Sequence, residues 1–117
     1  MKYIYKMIKD RGMEEDIKGW RDSFDYTILM QATRFGRENV LKWLLQELQF
    51  DVKEQSSNGS TALFIAADNN QTECARLLIE LGSQQLKNEF GIAPLIVAKM
   101  NGHKEMQKLL ESHFHSI

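Results

Sequence analysis

Apolar residues recur along the chain in a pattern that repeats at offsets of 34 and then 32 residues. Near its start each copy has a leucine and, three positions later, an alanine: Leu29/Ala32, Leu63/Ala66 and Leu95/Ala98. This spacing places both side chains on one face of a helix. The same offsets carry Leu44 onto Leu78 and Leu110 in a second apolar cluster downstream. The pattern predicts three copies of one unit, each made of two short helices.

The ends of the first helix are marked in every unit. It is predicted to run for about eight residues from one register position, occupied by Thr27, Thr61 and Ala93. A threonine there accepts a hydrogen bond from a free backbone N–H group of the first helical turn. Pro94 is tolerated early in the helix because N–H groups of the first turn have no carbonyl partner within the helix. The helix is predicted to end at residue types that tolerate a left-handed backbone: Gly36, Asn70 and Gly102.

A second helix is predicted to follow at once in each unit. Its apolar positions are Val40, Leu41, Leu44 and Leu45 in the first unit, with Cys74, Leu77 and Leu78 and then Met106, Leu109 and Leu110 in the others. On the opposite, solvent-facing side of this helix lie Lys42, Arg76 and Lys108. A polar stretch then leads to Asn58-Gly59 or Phe90-Gly91, a turn signal before the next unit.

These residues together resemble the ankyrin repeat, a two-helix hairpin plus a β-turn in about 33 residues with a T-P-L-H-x-A-like opening. The resemblance covers about residues 23–111 and is best in the second unit, around Thr61–Ala66. It implies an all-α fold, an α-solenoid of stacked helix-turn-helix hairpins with β-turn tips. The sequence departs from the motif at its histidine (Met30, Phe64, Ile96), at its proline (Ile28, Ala62) and at one turn glycine (Asp25).

The chain is predicted to be one domain of 1–117. Its parts are an N-terminal half-repeat and connection (1–22), three repeats (23–56, 57–88 and 89–111) and a tail (112–117) that we expect to fray. Met1–Gly12 matches a second helix with no first helix before it, and an enlarged connection, Met13–Tyr26, follows. Two interpretations stay open: this half-repeat is a natural cap, or the chain is a piece of a longer array.

The last repeat differs from the others on the side where a further repeat would stack. Gln107 and Glu111 stand where the first two units have Leu41/Ala75 and Leu45/Ile79. A terminal unit needs a polar outer face, so this substitution pattern predicts that the array stops there.

Composition narrows the class of protein. The net charge of −1 supplies no basic excess for binding nucleic acid. The longest apolar runs are about five residues, too short to span a membrane. A single cysteine, Cys74, excludes an intramolecular disulfide framework, and the N-terminus lacks the apolar stretch of a signal peptide. We interpret the protein as intracellular, cytoplasmic or nuclear.

Candidate catalytic and metal sites are weak. His113 and His115 lie in the tail without a third ligand, and His103 occupies a motif position that favours a structural contact. Cys74 lies on an apolar helix face with no histidine near it in this register, which favours a buried, inert thiol. Glu14-Glu15-Asp16 is typical of a solvated charge run. With no nucleophile–base pair and no phosphate loop, the sequence predicts a non-enzyme without cofactor or metal.

The resemblance also implies where a partner binds, because solenoids use extended concave surfaces. The resemblance implies that nine turn-tip positions are exposed: Ser23, Phe24, Tyr26, Ser57, Asn58, Ser60, Glu89, Phe90 and Ile92. The first-helix positions facing the same groove are Arg34, Phe35, Asp68, Asn69, Met100 and Asn101. Six of these fifteen are large and apolar or aromatic, which is typical of an interface. Alternatively, Phe24 and Phe35 fold inward against Trp20.

The leading hypothesis is a non-catalytic adaptor or scaffold that binds another protein or a peptide through this groove. The alternative hypothesis is a regulatory inhibitor or subunit of a partner enzyme. Neither involves a small-molecule substrate or membrane insertion, and the balanced spread of lysines and arginines argues against nucleic acid. The oligomeric state stays open.

Overall fold

A computed structural model of the chain describes Gly12 and residues 14–114, with seven helices in that part. They are α1 (Glu14–Gly19), α2 (Ile28–Arg34), α3 (Glu38–Gln46), α4 (Ala62–Asp68), α5 (Thr72–Glu80), α6 (Pro94–Met100) and α7 (Lys104–Phe114). The pairs α2/α3, α4/α5 and α6/α7 are the three predicted hairpins. The all-α fold and the three hairpin units are confirmed.

Threonine side chains begin the first helices of units one and two as predicted. Thr27 Oγ1 accepts a hydrogen bond from the Met30 N–H, and Thr61 Oγ1 accepts one from the Phe64 N–H, both at 3.2 Å. Such a cap contributes about 1 kcal/mol. Unit three has no side-chain cap at Ala93, and Pro94 is the first helical residue. The missing proline donor therefore leaves no intrahelical bond unmade.

A residue with positive φ separates the two helices of each hairpin. Gly36, Asn70 and Gly102 have φ values of +69°, +56° and +72°. Asparagine is among the few other residue types that visit this region, so the middle unit makes the same turn without glycine. The predicted ends of the first helices are thus confirmed.

The hairpins stack side by side in two layers. The first helices α2, α4 and α6 pack against one another in sequence, and so do the second helices α3, α5 and α7. Leu29 and Leu63 are buried from the first layer and Leu44, Leu78 and Leu110 from the second, all at 1% exposure or less. The lysines and arginine predicted on the solvent side of the second helices are exposed. Each unit therefore packs both within its own hairpin and against its neighbours, as in other solenoids.

Hydrogen bonds join the turn between the two helices of one unit to the end of the preceding unit's first helix. Gln71 Nε2 donates to the Arg34 carbonyl at 3.1 Å, and the Nδ1–H of His103 donates to the Ala67 carbonyl at 3.0 Å. The second bond confirms that His103 makes a structural contact. Asn101 Nδ2 adds a bond of 2.8 Å to the Asp68 carboxylate. These contacts fix the register between consecutive units.

The ends of the chain differ in part from expectation. The predicted half-repeat Met1–Gly12 lies outside the described residues except for Gly12. The connection that follows contains α1, a short helix that the pattern did not predict. The prediction of a frayed tail is wrong for Ser112–Phe114, because α7 continues to Phe114, whose ring packs partly buried against the core. Residues 115–117 lie outside the described part.

The outer side of unit three carries bonded polar groups. Gln107 Nε2 donates to Glu111 Oε1 at 2.9 Å, and Lys99 Nζ lies 3.9 Å from the same oxygen. Both Gln107 and Glu111 are half-buried, whereas their counterparts in the first two units are buried. Ile96, on the same side, is 44% exposed.

Candidate functional site

The three turn tips share one hydrogen-bonded geometry. In each, the N–H of the fourth residue donates to the carbonyl of the first at 2.9–3.0 Å, which joins Asp25 to Asp22, Gly59 to Ser56 and Gly91 to Asn88. The fourth residue has positive φ in every tip, at +66°, +83° and +76°. The tips therefore hold their second and third residues outward in the same way.

Asp25 makes this turn in unit one although it is not glycine. The Arg21 guanidinium donates to the Asp25 carbonyl at 3.2 Å and lies 3.3 Å from its carboxylate. Aspartate tolerates the left-handed region better than most residues, and this contact holds it there. The departure from the motif noted in the sequence therefore leaves the tip intact.

In the two outer tips, a side-chain oxygen of the first tip residue accepts hydrogen bonds from backbone N–H groups of the same tip. Asp22 Oδ1 accepts hydrogen bonds from the backbone N–H groups of Phe24 and Tyr26, both at 2.9 Å. The Tyr26 N–H, more than any other group, holds the pKa of the Asp22 carboxyl below its usual range. Asn88 Oδ1 binds the N–H groups of Phe90 and Ile92 in the same manner at 2.9 and 3.1 Å. Two equivalent tips thus present their phenylalanines on loops held by the same pair of hydrogen bonds.

Contacts between tips join the three units along this edge. The Glu89 N–H donates to the Asn58 carbonyl at 2.8 Å, a main-chain bond between the second and third tips. Between the first and second, Arg21 donates to the Gln55 carbonyl at 2.9 Å and pairs with the Glu54 carboxylate at 3.0 Å. The tips consequently form one continuous row.

The predicted site residues fall into three classes of exposure. Nine are exposed: Phe24, Arg34, Phe35, Asp68, Asn69, Glu89, Phe90, Met100 and Asn101. Ser23 and Ser57 are exposed as well, whereas Tyr26, Asn58 and Ile92 are half-buried. The prediction that Ser60 is exposed is wrong. This serine is 2% exposed, because its N–H and C=O face Ser56 inside the tip and a short side chain does not reach past them.

Four large apolar side chains on these elements face solvent. Phe24 and Phe90 are 68% and 69% exposed at the tips, and Phe35 and Met100 are 59% and 65% exposed at the ends of first helices. The alternative in which Phe24 and Phe35 fold inward against Trp20 is therefore wrong. The Phe24 ring lies 6.4 Å from that of Tyr26, and the Arg34 guanidinium lies 5.2 Å from the Phe35 ring centre. We call these exposed tip and first-helix residues, which the sequence resemblance assigns to one groove, the concave surface.

One further surface feature was not anticipated from the sequence. A cleft of about 600 Å³ opens beyond the second helices of units one and two, between Phe50, Val52 and Leu81. Leu81 is 46% exposed there. In the sequence, the cleft is marked only by Phe50 and Val52, two apolar residues that alternate with polar ones after a helix. Such a pair is too common to predict a cleft.

Histidines, cysteine and acidic residues are dispersed over the described part of the chain. Between Asp16 and Phe114 the structure brings no three His, Cys, Asp or Glu side chains together as a metal site. His113 is exposed and stacks edge-on against Phe114 at 4.8 Å, while His115 lies outside the described part. No helix among the described residues is both long and apolar enough to cross a bilayer.

Cys74 is buried in α5, at 1% exposure. Burial is the main cause that raises the pKa of its thiol from 9.0 to about 11, and the nearby Glu38 and Glu73 carboxylates add to it. Since only the thiolate is a nucleophile, the folded protein holds this group in its unreactive form near neutral pH.

This burial predicts slow thiol chemistry and a loss of stability in alkali. At pH 8 we expect Ellman's reagent to modify Cys74 at least tenfold more slowly in the folded protein than in urea. The unfolded thiol loses its proton from about pH 9 and the folded one only near 11. Stability should therefore fall as pH rises between these values, and Cys74→Ala should reduce that slope. Equal rates of modification in both states would contradict the burial.

Comparisons with known proteins agree on one family. A family model described as "Ankyrin repeats (3 copies)" matches residues 4–89 and 29–116. The chain is 35% identical over 100 residues to human SH3 and multiple ankyrin repeat domains protein 2, covering 85% of this chain and 5% of that protein. It is 28% identical over 106 residues to human transient receptor potential cation channel subfamily A member 1, covering 90% and 9%.

A third relative is shorter in its match. Cortactin-binding protein 2 of Echinops telfairi is 38% identical over 58 residues, which cover 50% of this chain and 4% of that protein. The chain thus spans less than a tenth of the length of these three relatives.

Proposed function

This chain belongs to the ankyrin repeat family, whose repeats are generally protein–protein interaction modules, and on that premise we propose that it is a non-catalytic adaptor or scaffold module that binds a protein or peptide through its concave surface. The observation that supports the proposal is the exposure of four large apolar side chains, two at the outer turn tips and two at the ends of the outer first helices. Exposed apolar area in water is unfavourable by roughly 25 cal/mol per Å², and a partner that covers it recovers that free energy.

The composition of the surface supports a protein as the partner. Aromatic side chains and arginine are enriched among the residues that dominate protein interfaces, and this surface offers three phenylalanines and Arg34. The bracing of Phe24 and Phe90 by their tips lowers the entropy lost on binding. The buried, protonated Cys74 supplies no nucleophile that would point to an enzyme instead.

The test begins with affinity capture from the source lysate and mass spectrometry, followed by direct binding to the purified partner. We expect Phe90→Ala and Arg34→Ala to weaken that binding at least tenfold while far-ultraviolet circular dichroism stays unchanged. Arg76→Ala is the matched control, because Arg76 is a half-exposed arginine on the outer side of α5 whose one ion pair with a described residue is to Glu73 at 3.3 Å. Unchanged binding by both groove variants would reject the concave surface as the binding site.

The same purified partner separates the two classes of function. If the partner is an enzyme and its rate changes on stoichiometric addition of this chain, the module is a regulatory inhibitor or subunit. An unchanged rate, together with simultaneous binding of a second protein, identifies a scaffold.

A further inference from the structure

Two asparagines of the chain are followed directly by glycine, Asn58 in the second tip and Asn101 at the end of α6. This dipeptide is chemically labile, because glycine has no side chain to shield its backbone nitrogen from the asparagine side chain. The nitrogen bonds to the side-chain amide carbon, and the amide group leaves as ammonia with the proton of that nitrogen. Water then opens the cyclic imide and leaves aspartate or isoaspartate.

The folded structure protects the Asn-Gly pair in the second tip. The Gly59 N–H donates to the Ser56 carbonyl at 2.9 Å, and the Asn58 carbonyl accepts from the Glu89 N–H at 2.8 Å. Asn58 Oδ1 accepts from Ser56 Oγ at 2.6 Å and from the Ser60 N–H at 3.2 Å. Both Asn58 and Gly59 are half-buried. The Gly59 nitrogen therefore turns toward the asparagine side chain only if the tip opens.

The Asn-Gly pair at the end of α6 is open to solvent. Asn101 and Gly102 are both exposed, and a Cβ added to Gly102 would meet no described atom within 4 Å. The Gly102 N–H donates to the Lys99 carbonyl at 3.2 Å, in the last turn of the helix. Hydrogen bonds at an exposed helix end open locally at a low cost in free energy. This nitrogen therefore reaches its asparagine side chain more often than its counterpart in the second tip does.

The Asn101 side chain also joins two units. Its Nδ2 donates to the Asp68 carboxylate at 2.8 Å and to the Asp68 carbonyl at 3.2 Å, which connects the C-terminal ends of α6 and α4. Asp68 is exposed and forms no ion pair within 4 Å among the described residues. A carboxylate in place of the Asn101 amide donates no hydrogen bond and places a second negative charge beside the first.

We propose that Asn101 is a site of spontaneous deamidation in the folded protein, and that the conversion loosens the attachment of unit three to the middle unit. Aspartate at this position repels Asp68 across the former hydrogen bond. Isoaspartate also lengthens the main chain by one carbon just before Gly102, whose positive φ forms the turn into α7. In the aspartate product the bond from His103 to the Ala67 carbonyl remains, so unit three loosens at this edge and stays stacked. This inference goes beyond the proposed function and does not depend on it.

The first experiment locates the conversion. The full chain is incubated for several weeks at mildly alkaline pH and physiological temperature, in buffer and in guanidinium chloride. Peptide mapping by mass spectrometry then separates asparagine, aspartate and isoaspartate at both sites. We expect the ratio of the Asn101 rate to the Asn58 rate to be at least about tenfold larger in buffer than in denaturant, because only folding protects Asn58. A ratio that does not rise on folding, or no conversion of Asn101 in buffer, would overturn the assignment.

The second experiment measures the effect on unit three with Asn101→Asp, which reproduces the aspartate product. We expect a lower midpoint of urea unfolding, and hydrogen exchange at least about threefold faster in the turn peptide that contains Gly102 and His103. The reciprocal double variant Asp68→Asn/Asn101→Asp restores one donor and one acceptor and removes the repulsion. It should therefore recover most of both losses.

Asn39→Asp is the matched control for added charge. It makes the same chemical change at an exposed position in the first turn of α3, where a negative charge is tolerated, and should lower neither property. Equal behaviour of Asn101→Asp and Asn39→Asp, or no recovery in the double variant, would refute the assigned bond to Asp68. Conversion of Asn101 without any effect of Asn101→Asp would refute the loosening of unit three.

Discussion

Replacing Leu78 by alanine is expected to lower the free energy of unfolding by about 2–5 kcal/mol. Leu78 is fully buried in α5 of the middle unit, a helix that packs on α3, α4 and α7. Its truncation removes apolar contacts with both neighbouring units and leaves a cavity that relaxes only partly. A domain of this size has only about 5–15 kcal/mol in total, so the variant will be marginally folded or unfolded at ambient temperature.

Urea unfolding followed by circular dichroism at 222 nm measures this loss. Leu81→Ala is the matched control, since it deletes the same atoms one turn further on from a side chain that is 46% exposed. We expect that control to change stability by less than about 1 kcal/mol. A loss below 1 kcal/mol in Leu78→Ala would refute the burial of this leucine between units.

The second large effect is expected at Gly59, where alanine should cost about 2–4 kcal/mol. Gly59 has φ +83°, and an added Cβ would lie 3.0 Å from the Glu89 nitrogen and 3.2 Å from the Asn88 Cα. Both are backbone atoms of the next tip, which cannot swing aside as a side chain can. The left-handed backbone costs about 1–2 kcal/mol and the crowding about 1–3, partly offset by the lower entropy of the unfolded alanine chain.

Gly91→Ala separates these two causes. Gly91 has nearly the same conformation in the third tip, φ +76°, but an added Cβ there would meet no atom within 4 Å. Alanine at this position should therefore cost only about 1 kcal/mol from the backbone. Equal losses of unfolding free energy for Gly59→Ala and Gly91→Ala in the same urea experiment would show that the second and third tips are not in close contact at Gly59.

The hairpins were predictable because their signals are local. Thr27 and Thr61 mark helix starts through hydrogen bonds to the third residue after them, and Pro94 marks one through its missing donor. Gly36 and Asn70 mark helix ends through one backbone angle. Repetition of the same signals at fixed offsets reinforced each of them. The apolar faces of the second helices followed from their spacing alone.

What the sequence left undetermined depends on contacts between distant residues. Ser60 occupies the same register position in the repeat as Tyr26 and Ile92. The serine is buried there, whereas the two larger side chains extend partly beyond the tip. Helix α7 runs three residues past its predicted end because Phe114 finds a place against the core. The outward orientation of Phe24 and Phe35 was undecided by sequence, since either orientation fits a turn or a helix end.

The contact between the first and second tips differs in chemistry from the contact between the second and third. A main-chain hydrogen bond of 2.8 Å fastens the third tip to the second, whereas the first is held by the Arg21 side chain on Glu54 and the Gln55 carbonyl. Dissolved ions weaken the charged joint and leave the peptide joint almost untouched. Added salt is therefore expected to weaken the contact between the first and second tips before it affects the contact between the second and third.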